Sequence, residues 1–238
     1  MNDERSVTLW QMRPVWGLPN PSPFCMKVET WLRMTGIAYV AREIAGPPKS
    51  KSGKVPYIER PDGSLLSDSS VILETLGRER GVTLDAFWNE QQRAHALLVQ
   101  RLFEEELYFI ALYDRWVDEA GWAIARDAYF GHFPWPLRKL VVPLVRQKVI
   151  AAARGQGVSR LSESCRRDKA IADVRAISTV LADQPFFLGQ PSSLDATAYA
   201  FLANGLWAPI ASVIRDEIQR HGNLVAYCDR MKDAYFRG

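Results

Sequence analysis

Residues 20–36, NPSPFCMKVETWLRMTG, decide how the rest of the chain is read. Asn20 and Ser22 are helix-capping types, and Pro23 suits a first helical position, where its missing N–H costs nothing. Phe24, Val28, Trp31 and Leu32 then recur at helical spacing until Gly36 ends the run. Val7 to Met12, VTLWQM, reads as a strand just upstream. The spacing therefore places the Ser22 hydroxyl in a strand-to-helix loop at the positive end of a helix dipole, where an anion is stabilised.

Working downstream, Tyr39–Ile44 reads as a second strand, so that the order strand–helix–strand predicts parallel pairing through a right-handed crossover. Gly46–Gly53 is a polar loop. Lys54–Arg60, entered through Val55-Pro56, predicts a third strand, and the turn Pro61-Asp62-Gly63-Ser64 leads into a fourth at Leu65 and Leu66. Ser67-Asp68-Ser69-Ser70 caps a helix whose apolar face is Val71, Ile72, Thr75 and Leu76 and which ends near Gly81. The order to this point is βαβ followed by ββα. From Ala86 onward the pattern is helical with proline breaks. Helices are expected over about 86–117, 162–181, 194–206, 210–219 and 224–236, with Ser192 and Asp195 forming a capping pair. Leu137–Ala153 is the most apolar segment. It reads as a packed helix kinked or broken at Pro143, and its basic residues leave a membrane-surface role as a minor alternative. Two domains follow, 1–81 and 86–238, joined by Val82–Asp85.

Composition excludes several classes. With 47% hydrophobic residues in 238, the chain can bury one large core or two smaller ones. Thirty basic against 27 acidic residues, with no basic run interleaved with aromatics, argue against a nucleic-acid partner. Cys25, Cys165 and Cys228 are odd in number and widely spaced, which fits a reducing compartment and no disulfide framework; no zinc pattern or other metal site is expected. The start, MNDERS, carries no apolar signal core and no arginine-rich presequence, and the expectation is a cytoplasmic protein.

Ser22-Pro23-Phe24-Cys25 has the shape of the thioredoxin-like Cys-Pro-X-Cys turn with serine in the first cysteine's place. Together with Gly53-Lys54-Val55-Pro56-Tyr57, Asp68-Ser69 and the capped turn Gly189–Asp195, it makes nearly the whole chain resemble the cytosolic glutathione transferase superfamily. That resemblance implies a thioredoxin-like N-terminal domain, an all-helical C-terminal domain and a homodimer. Within the superfamily, SPFCMKVETWLRMTG, SKSGKVPYI and Tyr113-Asp114-Arg115-Trp116 look most like the failed-axon-connections and metaxin-like branch. This branch implies, as the alternative to an enzyme, a non-catalytic interaction module with a weakened glutathione site.

The resemblance also implies a residue-by-residue site for glutathione. Only about 5–6% of X–Pro bonds are cis, so the residues alone favour a trans Val55–Pro56 bond, and the resemblance reverses that. A cis junction would turn the backbone of Val55 toward the cysteinyl part of the ligand. Asp68 and Ser69 would take the γ-glutamyl end, where plain helix capping is the competing explanation. Lys54 would meet the glycyl carboxylate. Ser22 would donate to the sulfur: His95, His132 and His221 are isolated, so no general base accompanies a nucleophilic serine. A donor at a helix start lowers a thiol pKa from about 8.5 by roughly one or two units. Cys25 is expected to be buried, with a glutaredoxin-like exchange as the lesser reading. A small hydrophobic electrophile is expected between the domains, against Trp16, Tyr113 and Trp116, with Tyr108 and Leu112 on the same long helix.

Overall fold

A computed structural model describes residues 6–237; the reading of MNDERS as free of a presequence falls mainly on residues 1–5, outside the described residues. Strand β1 (Val7–Gln11) buries alternate side chains, Val7, Leu9 and Gln11. Helix α1 (Pro23–Thr35) follows it with Pro23 in the first turn and closes on Gly36 at φ 68°, a left-handed conformation open to glycine. It leads to β2 (Tyr39–Glu43), which pairs parallel with β1. Strands β3 (Tyr57–Glu59) and β4 (Leu65–Ser67) complete a sheet of order β2-β1-β3-β4, with β3 antiparallel to both neighbours. The third strand is shorter than Lys54–Arg60 because Pro56 has no N–H for the ladder and the Ser50 hydroxyl bonds both the N–H and the C=O of Lys54. Helix α2 (Ser69–Arg80) then packs on the sheet and closes on Gly81.

The described residues beyond α2 form no strand. Helix α3 (Glu90–Arg101) starts later than the expected Ala86, because Asn89 and Gln92 form the capping box. It runs through a π-helical segment, Leu102–Leu107, into α4 (Tyr108–Trp116). Helix α5 (Glu119–Phe130), capped by Asp118, has no counterpart in the sequence reading. Helix α6 (Trp135–Gln156) passes through Pro143 without a break. Pro143 and Lys139, whose carbonyl loses its partner there, both lie on the exposed side, where water replaces the bond. Helices α7 (Glu163–Leu181), α8 (Ser193–Trp207), α9 (Val213–Arg220) and α10 (Gly222–Phe236) complete the fold.

Helix α8 is apolar almost all round and is accordingly buried along its length. Asp195 anchors its start, accepting from the N–H groups of Phe187 and Ser192, from the Ser192 hydroxyl and from the Tyr227 hydroxyl. Helix α1 lies against α8, with the Trp31 indole donating to Ser193 Oγ at 3.0 Å. The helical core and the sheet's core consequently interleave: Leu18 and Met26 belong to the former, and Ala196 belongs to the latter. Each large side chain buried there contributes about 1.5–3 kcal/mol.

One ionic contact also crosses this junction. Lys27 of α1, 1% exposed, donates to Glu104 Oε1 at 2.6 Å and to Ser70 Oγ at 2.9 Å. Gln100 donates to the other Glu104 oxygen and to the same serine. Burial pushes the Lys27 ammonium below its ordinary value, and Glu104 opposes that shift. Desolvating two charges cancels much of their attraction, but removing one partner strands the other. Lys27→Met is therefore expected to cost about 3–5 kcal/mol in denaturant melts, and Lys27→Met/Glu104→Leu to recover most of it. A double variant no more stable than the single one would remove this account of the junction.

Candidate functional site

The strand register brings three loops to one end of the sheet. The C-terminal end of β1 lies beside the start of β3, since Trp10 pairs with Tyr57, and Tyr57 in turn pairs with Ser67 at the end of β4. The loop carrying Ser22 follows β1, Val55-Pro56 precedes β3, and Asp68-Ser69 follows β4. The Lys27–Ser70 hydrogen bond ties the second turn of α1 to the first turn of α2.

Ser22 is the N-cap of α1, and its Oγ accepts from the Cys25 N–H at 3.4 Å. Its own N–H donates to Asn20 Oδ1 at 3.0 Å, so Asn20 orders the approach to the helix while Ser22 caps it. The loop is pinned from the far half of the chain. Asn204 of α8 donates to the Asn20 carbonyl at 3.2 Å, and Arg115 of α4 donates to the Pro21 carbonyl at 2.7 Å. Arg115 also bonds the Asn204 side chain and carbonyl, which ties the two clamps together. Neither residue was singled out as functional from sequence. The signal available was a polar side chain inside an apolar helical run.

Beside Ser22 lies a cavity of about 150 Å³ between the sheet's end and the helices. Pro21 and Ser22 form one side; Tyr108, Leu112, Arg115 and Trp116 of α4 form another. Tyr129 of α5, Val149 of α6 and Phe201 of α8 complete the apolar wall. Burial raises the Tyr108 hydroxyl to about 12 and raises Tyr129 also, so both phenols are neutral near pH 7. Trp116 lines this space. Tyr113 does not, because residues 108, 112, 115 and 116 share one helical face and Tyr113 turns off it, beneath the Arg166 guanidinium at 3.7 Å from its ring. Trp16 sits one layer back, 5.4 Å from the Tyr129 ring, with Arg115 over its face. It occupies a left-handed conformation, φ 59°, in a tight turn with Gly17, unusual for a bulky residue.

At the other side of the Ser22 loop the Val55–Pro56 bond is cis. Val55 is half-buried and Lys54 is exposed. Asp68 caps α2, its Oδ1 accepting from the N–H groups of Ser70 and Val71, and it holds a φ of 76°. Asp68 is exposed and Ser69 is buried. A non-glycine residue at such a φ stores about 1–3 kcal/mol, which marks a position held by more than local preference.

A sequence profile described as the glutathione S-transferase N-terminal domain matches residues 23–121, and one described as the glutathione S-transferase C-terminal domain matches residues 170–231. An isoprene-epoxide–glutathione S-transferase from Rhodococcus sp. (strain AD45) is 34% identical over 96% of this chain and 99% of its own. The chain belongs to the glutathione S-transferase family. Failed axon connections from Drosophila melanogaster is 29% identical over 97% of this chain and 58% of that protein. The mitochondrial outer membrane import complex protein METAXIN from Arabidopsis thaliana is 26% identical over 96% of this chain and 72% of its own. The chain is thus similar along nearly its whole length to failed-axon-connections and metaxin proteins as well. Among solved structures, a glutathione S-transferase from Methylobacterium radiotolerans in complex with glutathione sulfonate shares the fold, with a TM-score of 0.62 and 17% identity over 95% of this chain and 90% of that one.

The relatives correct the cytoplasmic expectation. A relative named for a mitochondrial outer membrane complex points away from a purely cytoplasmic location, and the make-up of the first residues did not carry that information. No described helix is long and apolar enough to cross a membrane.

Cys25 stands where a second thioredoxin cysteine would, yet it is fully buried, and burial pushes its thiol up to about 12. The thiolate needed for disulfide exchange is therefore scarce near neutral pH. Iodoacetamide with mass-spectrometric readout is expected to spare Cys25 in the native protein and to modify it on unfolding. Rapid native labelling of Cys25 would restore the glutaredoxin-like reading.

Proposed function

We propose that this chain is a glutathione transferase in which Ser22 donates a hydrogen bond to the glutathione sulfur and the adjoining cavity receives a small apolar electrophile. The observation that carries this reading is the capping hydroxyl of Ser22, at the positive end of α1, forming part of the wall of that cavity. A volume of about 150 Å³ is enough for a molecule the size of benzene, so the size suits an electrophile of five or six carbons. A relative named for an epoxide of the five-carbon isoprene fits that size. With an epoxide, the thiolate sulfur would bond to a ring carbon as the C–O bond breaks. The alkoxide would then take a proton, for which the neutral Tyr108 hydroxyl in the cavity wall is the donor proposed.

In this reading residues 1–81 hold glutathione, residues 86–238 shape the electrophile's side, and two copies associate. Asp68 accepts from the γ-glutamyl amine with the oxygen its cap leaves over, the start of α2 at Ser69 faces the adjoining carboxylate, Val55 pairs with the cysteinyl backbone, and Lys54 meets the glycyl carboxylate. The metaxin-like relatives favour a second reading, an interaction module in the same fold without turnover. Glutathione at a hundredfold excess over Kd is expected to stabilise the protein by about 2.7 kcal/mol in a thermal melt. No shift, together with no retention on immobilised glutathione, would favour the second reading.

Two variants separate activating the ligand from holding it. Ser22→Ala is expected to raise the bound thiol's pKa by about one unit and to lower turnover while leaving affinity nearly unchanged. Asp68→Ala should weaken glutathione binding about ten- to a hundredfold, the loss of one charge-assisted bond. Thiolate absorbance against pH and calorimetry read the two effects. An unchanged thiol pKa in Ser22→Ala would discard the catalytic assignment, and unchanged affinity in Asp68→Ala would leave Asp68 a structural cap.

A further inference from the structure

We infer that the outer face of α6 is a docking surface for an anionic lipid bilayer. The helix is apolar on two sides. Its inner side places Val142 and Val145 against α5 and its neighbours and Val149 in the cavity wall. Its outer side leaves Leu137, Leu140 and Leu144 exposed at 46, 67 and 55%, and Trp135 stands 68% exposed at its first turn. Leu137, Leu140 and Leu144 follow the i, i+3, i+7 spacing, so they form one stripe that nothing among the described residues covers.

The charge around that stripe identifies what it fits. Although the whole chain is nearly balanced, from Ala128 to Ser162 it contains no aspartate or glutamate and carries Arg138, Lys139, Arg146, Lys148, Arg154 and Arg160. Arg138 is held by Asp127 and Arg146 by Glu119, both from α5. Lys139, Lys148 and Arg154 pair with no carboxylate among the described residues. Lys139 instead lies over the Trp135 ring, 4.2 Å from its centroid. An exposed leucine stripe, continued by Lys148 one turn beyond Leu144, and further unpaired cations around the same helix match an interface helix that sinks its apolar side chains among lipid headgroups while the cations meet anionic ones. A second copy of this chain is a poor occupant, because face-to-face packing on this stripe would bring the cations together.

The experiment is flotation of the full chain with phosphatidylcholine vesicles, with and without about a third phosphatidylserine. Binding is expected only to the anionic vesicles and to fall with added salt. Leu140→Ser/Leu144→Ser and, separately, Lys139→Gln/Lys148→Gln should each reduce partitioning about tenfold or more. The changed side chains are exposed, and an unchanged melting temperature verifies the fold. No binding by the parent protein, equal binding to both vesicle types, or unchanged binding by both folded variants would overturn the inference. So would light scattering in which the leucine variant converts a dimer into a monomer, since the stripe would then belong to a second copy. The failure of glutathione to bind would leave this result untouched and would count only against the transferase reading.

Discussion

The contact of α1 with α8 is the constraint on which the rest of the structure depends. Helix α8 is too apolar to face water on any side, so the sheet's first helix must cover one flank and the remaining helices the others. That arrangement fixes where the N-terminus of α1 points, and with it the hydroxyl of Ser22. The polar groups at the junction act within the same geometry. Asn204 and Arg115 use the carbonyls of Asn20 and Pro21, which lie in the strand-to-helix connection, outside the sheet. The loop is thus held by helices nearly a hundred or more positions away in sequence.

The sheet supplies the complementary constraint. Because β3 runs antiparallel to both β1 and β4, the end of one strand, the start of the next and the end of the last meet at a single edge. Three stretches with no sequence proximity, around Ser22, Val55 and Asp68, become neighbours through register alone. Their backbone conformations are specialised in different ways: a capped helix start, a cis bond and a positive φ at an aspartate. In the proposed reading these three stretches take the extended peptide ligand, and the adjoining cavity takes something compact and apolar.

Much of this was legible because its causes are local. Ser22 followed by proline, the turn Pro61–Ser64, and Ser192 with Asp195 three residues later each specify their conformation within a few residues, and the βαβ–ββα order and the helical second half followed from them. The rest depends on distant partners or on helix phase. Asn204 looks like an ordinary polar interruption until α8 is placed against the Ser22 loop. Tyr113 shares a segment with Trp116 but not its side of α4, a distinction of one helical step that composition does not carry. Helix α5 escaped notice because its aromatic residues follow the long α3–α4 run with only Asp118 to mark the restart. The compartment was misread for a different reason: nothing physical in a polar first segment records where relatives of the fold reside.

The wall at Val149 gives the cavity an unusual relation to the outside. Val149 faces inward and Leu140 and Leu144 face outward on the same helix, with no further layer among the described residues beyond it. An α-helix with its side chains measures about 10–12 Å across. The space beside Ser22 is therefore bounded on that side by a partition one helix thick, and the depth of the site below the molecular surface is set there by a helix diameter and not by the radius of the protein.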